Sequence, residues 1–385
     1  MAIGKGVLIC PQHWGLGHVT RTIPVIRYFI DRGYRVVLAC SGDGSKLLAM
    51  EFPHLKLYNL PDYGMRYPHR SMYLNMLRQI AQMHLAIARE FFAIRRICQA
   101  EAIDLVVSDT RLGAAQPGIP SVMIAHHLHF PLGNRFFEWV SDVWLKFFYG
   151  RYTQVWIPDI AGEKNLSGEL SHGVNIGNRH FIGILSRFVP MPDKEQYDCA
   201  FVLSGPEPQR SYLERSFIDQ LVALLPAKCI LVRGSKSAPP LLIEEHRVQT
   251  SLEVRDLVDG RELNAILCSS RQIVCRSGYS TLLDLCIIGK NALLIPTPGQ
   301  PEQEYLAREL LRKGLFHCVD QQDLDLPADL ARASAFKGFQ GIDLGQLLGE
   351  RLDQLVGELF KTKTVKATGT APIPAQILEK SADQA

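Results

Sequence analysis

Two stretches of this 385-residue chain hold residue types at spacings that could do chemistry. The first is Pro11-Gln12-His13-Trp14-Gly15-Leu16-Gly17-His18-Val19-Thr20-Arg21. It follows the apolar run Gly6 to Cys10 and reads as strand, glycine turn, helix. Glycines let a backbone turn sharply and approach a ligand, and the first N–H groups of a helix attract an anion. A dinucleotide fingerprint is not completed: Thr20 stands where a third small residue belongs, and Cys40 and Ser41 where the acid ending the second strand belongs. What the turn offers is His18, an imidazole at the carboxyl end of a strand, able to take up a proton near neutral pH. Asp109 closes the later run Leu105 to Ser108 and reaches the same rim. A carboxylate beside His18 would fix its tautomer and stabilise its charged form. Capping the helix is the other role open to His18.

The second stretch is Val274-Cys275-Arg276-Ser277-Gly278-Tyr279-Ser280-Thr281-Leu282-Leu283-Asp284. A strand running into Ser277-Gly278 at a helix start puts backbone amides where a diphosphate can sit, with Asp284 two turns on for ribose hydroxyls. The polar turn Thr297 to Glu304 opens another helix, and Gln303 and Glu304 suit sugar hydroxyls. The loop from Leu203 to Arg210 contains Gly205 for a tight turn and Arg210 as a charge for phosphate. In Ile124 to Phe130, His126, His127 and His129 cluster at the end of a strand, where a pocket wall or metal binding are the roles open to them. With strand geometry continued, His126 and His127 would point to opposite sides, and no carboxylate is near in sequence, so no metal is assigned. Asp323-Leu324-Asp325 falls after the last expected strand and receives no role.

Stepping outward, short β-rich runs alternate with helical periods. Gly6 to Cys10, Val36 to Cys40, Leu55 to Leu60, Leu105 to Ser108 and Ser121 to Ala125 are strands of a first parallel, doubly wound sheet. Helix 71–100 carries Met76, Ile80, Met83, Ile87, Phe91 and Ile94 at spacings of three and four. After the polar stretch Val189 to Gln196, a second series begins with Tyr197 to Leu203. Its other strands are Cys229 to Val232, Gln272 to Cys275 and Ala292 to Ile295, with helices at 209–225, 261–269, 278–288 and 301–313. The expected units are 1–190, 191–345, a C-terminal helix 346–361 and a flexible tail 362–385. Helix 134–152 is rich in aromatics, a composition suited either to burial between sheet and neighbour or to a lipid headgroup region.

Hydrophobic residues at 47% and charged residues at 21% are those of a folded globular chain. A net charge of +3 is too mild for a nucleic-acid footprint. The nine cysteines lack metal or Cys-x-x-Cys spacing and read as reduced. With no leader-like start and no bilayer-length apolar run, a cytoplasmic protein is expected, with peripheral contact at the inner face of a membrane left open.

The Gly15 to His18 turn, the Arg276-Ser277-Gly278 helix start with Asp284, and the Pro296 to Glu304 turn resemble the matching parts of glycosyltransferase family 28, the MurG-type UDP-N-acetylglucosamine transferases. The likeness covers both halves and is tighter in the second. It implies a GT-B fold, two Rossmann-like domains facing across a cleft, with inverting transfer and no required metal or cofactor. By position, Ser277 and Gly278 would approach the donor diphosphate, Asp284 the ribose and Gln303 the sugar. The family often has Glu where Asp284 stands and Gln where Glu304 stands. The implied partners are a nucleotide-sugar donor, first a UDP-sugar, and a hydroxyl acceptor of which a lipid-linked one is an option. His18 with Asp109 would be the base, and Arg276 or Arg210 would stabilise the leaving charge. A nucleotide-sugar hydrolase or 2-epimerase and a non-catalytic nucleotide-sugar-binding protein are the alternatives.

Overall fold

The computed structural model describes residues 4–13, 16–63, 72–130, 134–163, 165–174, 176–192, 195–235, 251–341 and 347–367. Its first sheet consists of β1 (Gly6–Pro11), β2 (Arg35–Cys40), β3 (Lys56–Asn59), β4 (Ile103–Asp109), β5 (Ser121–Ile124), β6 (Gln154–Ile157) and β7 (Arg179–Phe181). They pair in the order β3-β2-β1-β4-β5-β6-β7, every pair parallel. The second sheet holds β8 (Tyr197–Val202), β9 (Cys229–Val232), β10 (Leu252–Arg255), β11 (Ser270–Cys275), β12 (Leu293–Leu294) and β13 (His317–Cys318). Its order is β10-β9-β8-β11-β12-β13, again parallel throughout.

The strands are apolar on both faces because helices cover both. In β1, Val7 and Ile9 enter one core while Leu8 and Cys10 enter another, and in β4 Leu105 and Val107 divide from Val106 in the same way. Continuous apolar runs of this kind belong to parallel sheets buried on two sides. The helices around the first sheet are α1 (Leu16–Asp31), α2 (Gly42–Glu51), α3 (Met72–Ala100), α4 (Arg135–Tyr149) and the single turn α5 (Glu169–His172). Those after it are α6 (Gln209–Leu221), α7 (Gly260–Cys268), α8 (Tyr279–Ile288), α9 (Pro301–Arg312), α10 (Leu326–Ala333) and α11 (Leu348–Ala367). Met76 and Ile80 lie in a part of α3 whose side chains are outside the described ones; Ile87 and Ile94 of the same stripe are buried.

In each sheet the strand order reverses between two neighbours, β1 with β4 and β8 with β11. Open α/β sheets bind ligands in the crevice outside the carboxyl ends of such a pair. His18 follows β1 and Asp109 ends β4; Gly205 follows β8 and Ser277 follows β11. The topology therefore collects the residues singled out from sequence at two switch points.

Two expectations about helices are corrected. The C-terminal helix continues to Ala367 rather than ending at 361, and the tail from 368 onward lies outside the described residues. Leu352, Leu355, Val356 and Leu359 of α11 join the same core as Val7 and Ile9, and Asp353 accepts from Tyr28 (2.9 Å) and Arg32 (2.6 Å) on α1. The chain thus returns from the second sheet to cover the first. In α4, burial is one-sided: Leu145, Phe148 and Tyr149 are buried, whereas Phe136, Phe137, Trp139, Val140, Val143 and Phe147 are exposed. Among the described residues no helix is long and apolar enough to cross a membrane. All nine cysteines are free, and eight of them are buried.

Candidate active site

His18 lies in the first turn of α1. Its Nδ1 is 2.8 Å from Asp109 Oδ1, and Asp109 is fully buried. Arg21, one turn along α1, grips the same carboxylate: its Nε donates to Oδ2 at 2.6 Å and its Nη2 donates to Oδ1. Thr22 adds a hydroxyl at 3.3 Å. Burial alone would raise the Asp109 pKa, but Arg21 and then His18 outweigh it and hold the carboxyl well below its usual range. His18 Nδ1 faces both Asp109 Oδ1 and, also at 2.8 Å, the donor Arg21 Nη2; in the tautomer whose Nδ1 proton goes to the ionised Asp109, Nε2 keeps the lone pair a base needs. Burial and Arg21 lower the His18 pKa, with Asp109 opposing them, so the ring is neutral at pH 7.

Arg21 also donates from Nη1 to His126 Nδ1 at 2.9 Å. Burial, seconded by His127, pushes His126 down to about 3, so it is neutral with its proton on Nε2. That nitrogen is 3.5 Å from Glu302 Oε1, longer than a good hydrogen bond. His127 Nε2 reaches Glu302 Oε2 at 2.6 Å. The opposite-sided histidines expected from strand geometry are not found: β5 ends at Ile124, and the two rings lie 4.3 Å apart with one carboxylate between them. Glu302 comes from α9, 175 residues from His127. Burial pushes its carboxyl up, but His127 and His126 pull harder and hold it well below the carboxylate range. The three residues each offer a ligand atom within 4.8 Å of the others. However, an Arg21 N–H aimed at His126 Nδ1 places the proton on Nε2, where a metal would have to bind. His129 turns away to Asp142 on α4, at 3.0 Å.

The starts of α1 and α8 touch. A Cβ at Gly17 would lie 2.7 Å from Ser280 Oγ, so glycine there permits the two helix N-termini to meet. Gly15 lies outside the described residues. Tyr279, the first residue of α8, stacks on His126 at 4.1 Å with the rings 4° from parallel; its N–H faces Glu302 at 3.3 Å and its hydroxyl donates to Pro158 O at 2.7 Å.

The donor-side residues singled out from sequence make definite contacts within the protein. Arg276 is fully buried: its Nη atoms donate to the carbonyls of Ile295, Pro296 and Gln209 and to Gln321 Oε1, fastening the loops after β12 and β8 to β11, while its Nε makes no hydrogen bond. Arg210 pairs with Glu207 and donates to Arg233 O. Ser277 Oγ donates to Gln303 O at 2.8 Å; Gln303 Oε1 accepts from Thr297 N, and Glu304 Oε1 from Gly299 N, both at 2.8 Å. These side chains shape the α9 turn. Asp284 accepts from Ser186 Oγ, and burial pushes its carboxyl up to about 7, Ser186 and Arg187 opposing. Gly205 holds a φ of +96° beside Thr297, the left-handed turn that glycine adopts. Gly278 is different: a Cβ there would meet nothing nearer than 3.8 Å. Asp325, from the unassigned Asp-x-Asp, caps α10.

Sequence reading passed over Arg21, Tyr279 and Glu302 as site residues. The three-residue spacing of His18 and Arg21 on one helix face was a usable signal; nothing local joins Glu302 to His127.

Residues 252–335 match the glycosyltransferase family 28 C-terminal domain. Over 334 residues, 83% of this chain and 90% of the other, the protein is 25% identical to an uncharacterized glycosyltransferase of Methanopyrus kandleri. Over 100 residues it is 29% identical to the UDP-N-acetylglucosamine--N-acetylmuramyl-(pentapeptide) pyrophosphoryl-undecaprenol N-acetylglucosamine transferase of Caldanaerobacter subterraneus, a match spanning 25% of this chain and 28% of that one. The structure of Arabidopsis thaliana UGT89C1 complexed with UDP-L-rhamnose superposes with a TM-score of 0.61 at 14% identity, covering 92% of this chain and 98% of that one. The two parallel sheets and these likenesses establish the GT-B fold.

Proposed function

We propose that this glycosyltransferase, similar to family 28, takes a sugar from a nucleoside-diphosphate sugar, first a UDP-sugar, and passes it to a hydroxyl acceptor with inversion and without a metal. The observation that carries the reading is the His18–Asp109 pair at 2.8 Å, held by Arg21 against the start of α8. His18 Nε2 removes the acceptor hydroxyl proton as the oxygen bonds to the anomeric carbon. The carbon–oxygen bond to the diphosphate breaks, and the diphosphate leaves with the electron pair. Its charge is met by the α8 N-terminus rather than by Arg276. The protein interior does not demand glycine at 278, whereas a diphosphate approaching the backbone would. A relative of the same fold solved with UDP-L-rhamnose makes a UDP-sugar the first donor to try.

The acceptor belongs against His127 and His129, since His126 is buried under Tyr279. His129 binds Asp142 of α4, and Tyr149 of α4 donates to His127 O at 2.8 Å. Helix α4 thus meets the histidine wall through its buried side, and we assign its outward apolar face to a lipid surface carrying the acceptor, with the enzyme peripheral to a membrane.

The test is thermal stabilisation by a panel of UDP-, GDP-, dTDP- and CMP-sugars, since a ligand at 100 times its dissociation constant adds about 2.7 kcal/mol. His18→Ala should keep the shift given by the preferred donor and lose on the order of 10²-fold in transfer. No shift with any nucleotide-sugar sinks the donor reading. Free sugar as the product would make the protein a hydrolase, and an epimerised sugar still bearing its nucleotide an epimerase.

A further inference from the structure

We propose that Glu302 is a positioning residue for His18: reaching from the second domain into the first, it completes a chain of hydrogen-bonding groups that orients the base only when the two domains are together. The inference rests on His18 acting as the base.

Hydrogen bonds run from His126 to His18, and Glu302 faces the start of that path at 3.5 Å. Glu302 lies between His127 (2.6 Å) and His126 (3.5 Å); His126 Nδ1 accepts from Arg21 (2.9 Å); Arg21 spans both oxygens of Asp109; and Asp109 holds His18 Nδ1 (2.8 Å). Each link sets the next. With its Nε2 proton facing Glu302, His126 presents a lone pair to Arg21, and Arg21 so anchored lies flat against Asp109. Without that anchor one arm of the fully buried guanidinium loses its acceptor, which burial makes costly. Tyr279 seals the path, stacked on His126 and donating to the first domain at Pro158 O. Both inserted residues, Tyr279 and Glu302, begin helices of the donor domain, so separating the domains withdraws them together. His126 Nε2 and His127 Nδ1 are buried and make no hydrogen bond, so the carboxylate is the polar group that compensates this pair.

The charged and titratable groups facing His18 and its path are Arg21 on α1, Asp109 on β4, His126 and His127 after β5, Tyr149 on α4, Tyr279 on α8 and Glu302 on α9. Among them Asp109 and Glu302 raise the His18 pKa, while Arg21 lowers it. Removing the Glu302 charge must therefore lower the pH at which His18 titrates.

The experiment is ¹⁵N-imidazole NMR of the full chain, with the His18 signal identified by its loss in His18→Ala. In Glu302→Gln the His18 midpoint should move to lower pH; an unmoved or raised midpoint overturns the proposal. This readout needs no donor or acceptor. A lowered midpoint in a chain that no nucleotide-sugar stabilises upholds the positioning and sinks the transferase reading. In transfer assays, Glu302→Gln and His126→Gln should each lower kcat by about tenfold with donor KM little changed, and Glu302→Asp should recover part of the loss. The double variant should be no worse than the more severe single one, because both break one path. Additive losses overturn the proposal.

Discussion

A carboxylate with no solvent contact survives as an anion only if other charges surround it, and Asp109 shows how that is arranged: one guanidinium across both oxygens, one imidazole on the near side. Asp284 is the opposite case. It too is buried, and burial pushes its carboxyl up to about 7, because a hydroxyl and a more distant arginine do not offset it. The pKa is higher folded than unfolded, so the stability that protonation gives is complete below about pH 4 and is lost as pH rises through 7. Asp284→Asn should accordingly match the parent near pH 4 and exceed it in stability at pH 8, measured by urea denaturation. A less stable variant at pH 8 would show instead that pairing with Arg187 dominates. The sequence identifies Asp284 by its spacing after Ser277-Gly278, yet its partner Ser186 lies 98 residues away, where no local rule reaches.

Among the elements, α4 was ambiguous from composition because aromatics fill most of its circumference. Tertiary packing divides them: Trp144 and Phe148 meet His84 of α3, while Phe136, Trp139, Val140, Val143 and Phe147 face outward. An outward apolar face of that kind gives a direct test of lipid contact. Phe136→Ser with Phe147→Ser should weaken co-sedimentation with phospholipid vesicles roughly tenfold or more, since burying one Phe side chain is worth about 1.5–3 kcal/mol. Unchanged vesicle binding would remove lipid from the account of α4. The strands reveal a different boundary of sequence reading. β1, β4 and β8 are long apolar runs and were legible. β7 is three half-buried residues and β13 is two, too short for a period to register, and their places come from pairing with the neighbouring strand.

At the scale of the molecule, α11 ties the last residues of the second unit to the first. Its buried Leu352, Leu355, Val356 and Leu359 would each forfeit about 1.5–3 kcal/mol on exposure, together comparable with the 5–15 kcal/mol that holds a domain folded. A chain ending at Leu347 should therefore lose its cooperative thermal transition and aggregate on size exclusion. A truncated chain that melts within a few degrees of the parent would show that the first sheet does not need the helix. Helices α1 and α8 meet where Gly17 approaches Ser280, which sets His18 beside the start of α8.

By itself the sequence determined the alternation of strand and helix, hence parallel sheets, and the glycine turns that put His18, Gly205 and Ser277 at strand ends. These follow from local sterics and from the period of apolar burial, which act over a few residues. Only the tertiary structure decided which polar groups meet: that Arg21 shares Asp109 with His18, that Arg276 is spent on loop carbonyls, and that Glu302 lies between two histidines of the other domain. Those pairings depend on distances closed by folding, and for a buried charge the partner across the fold, more than its sequence neighbour, sets what it can do.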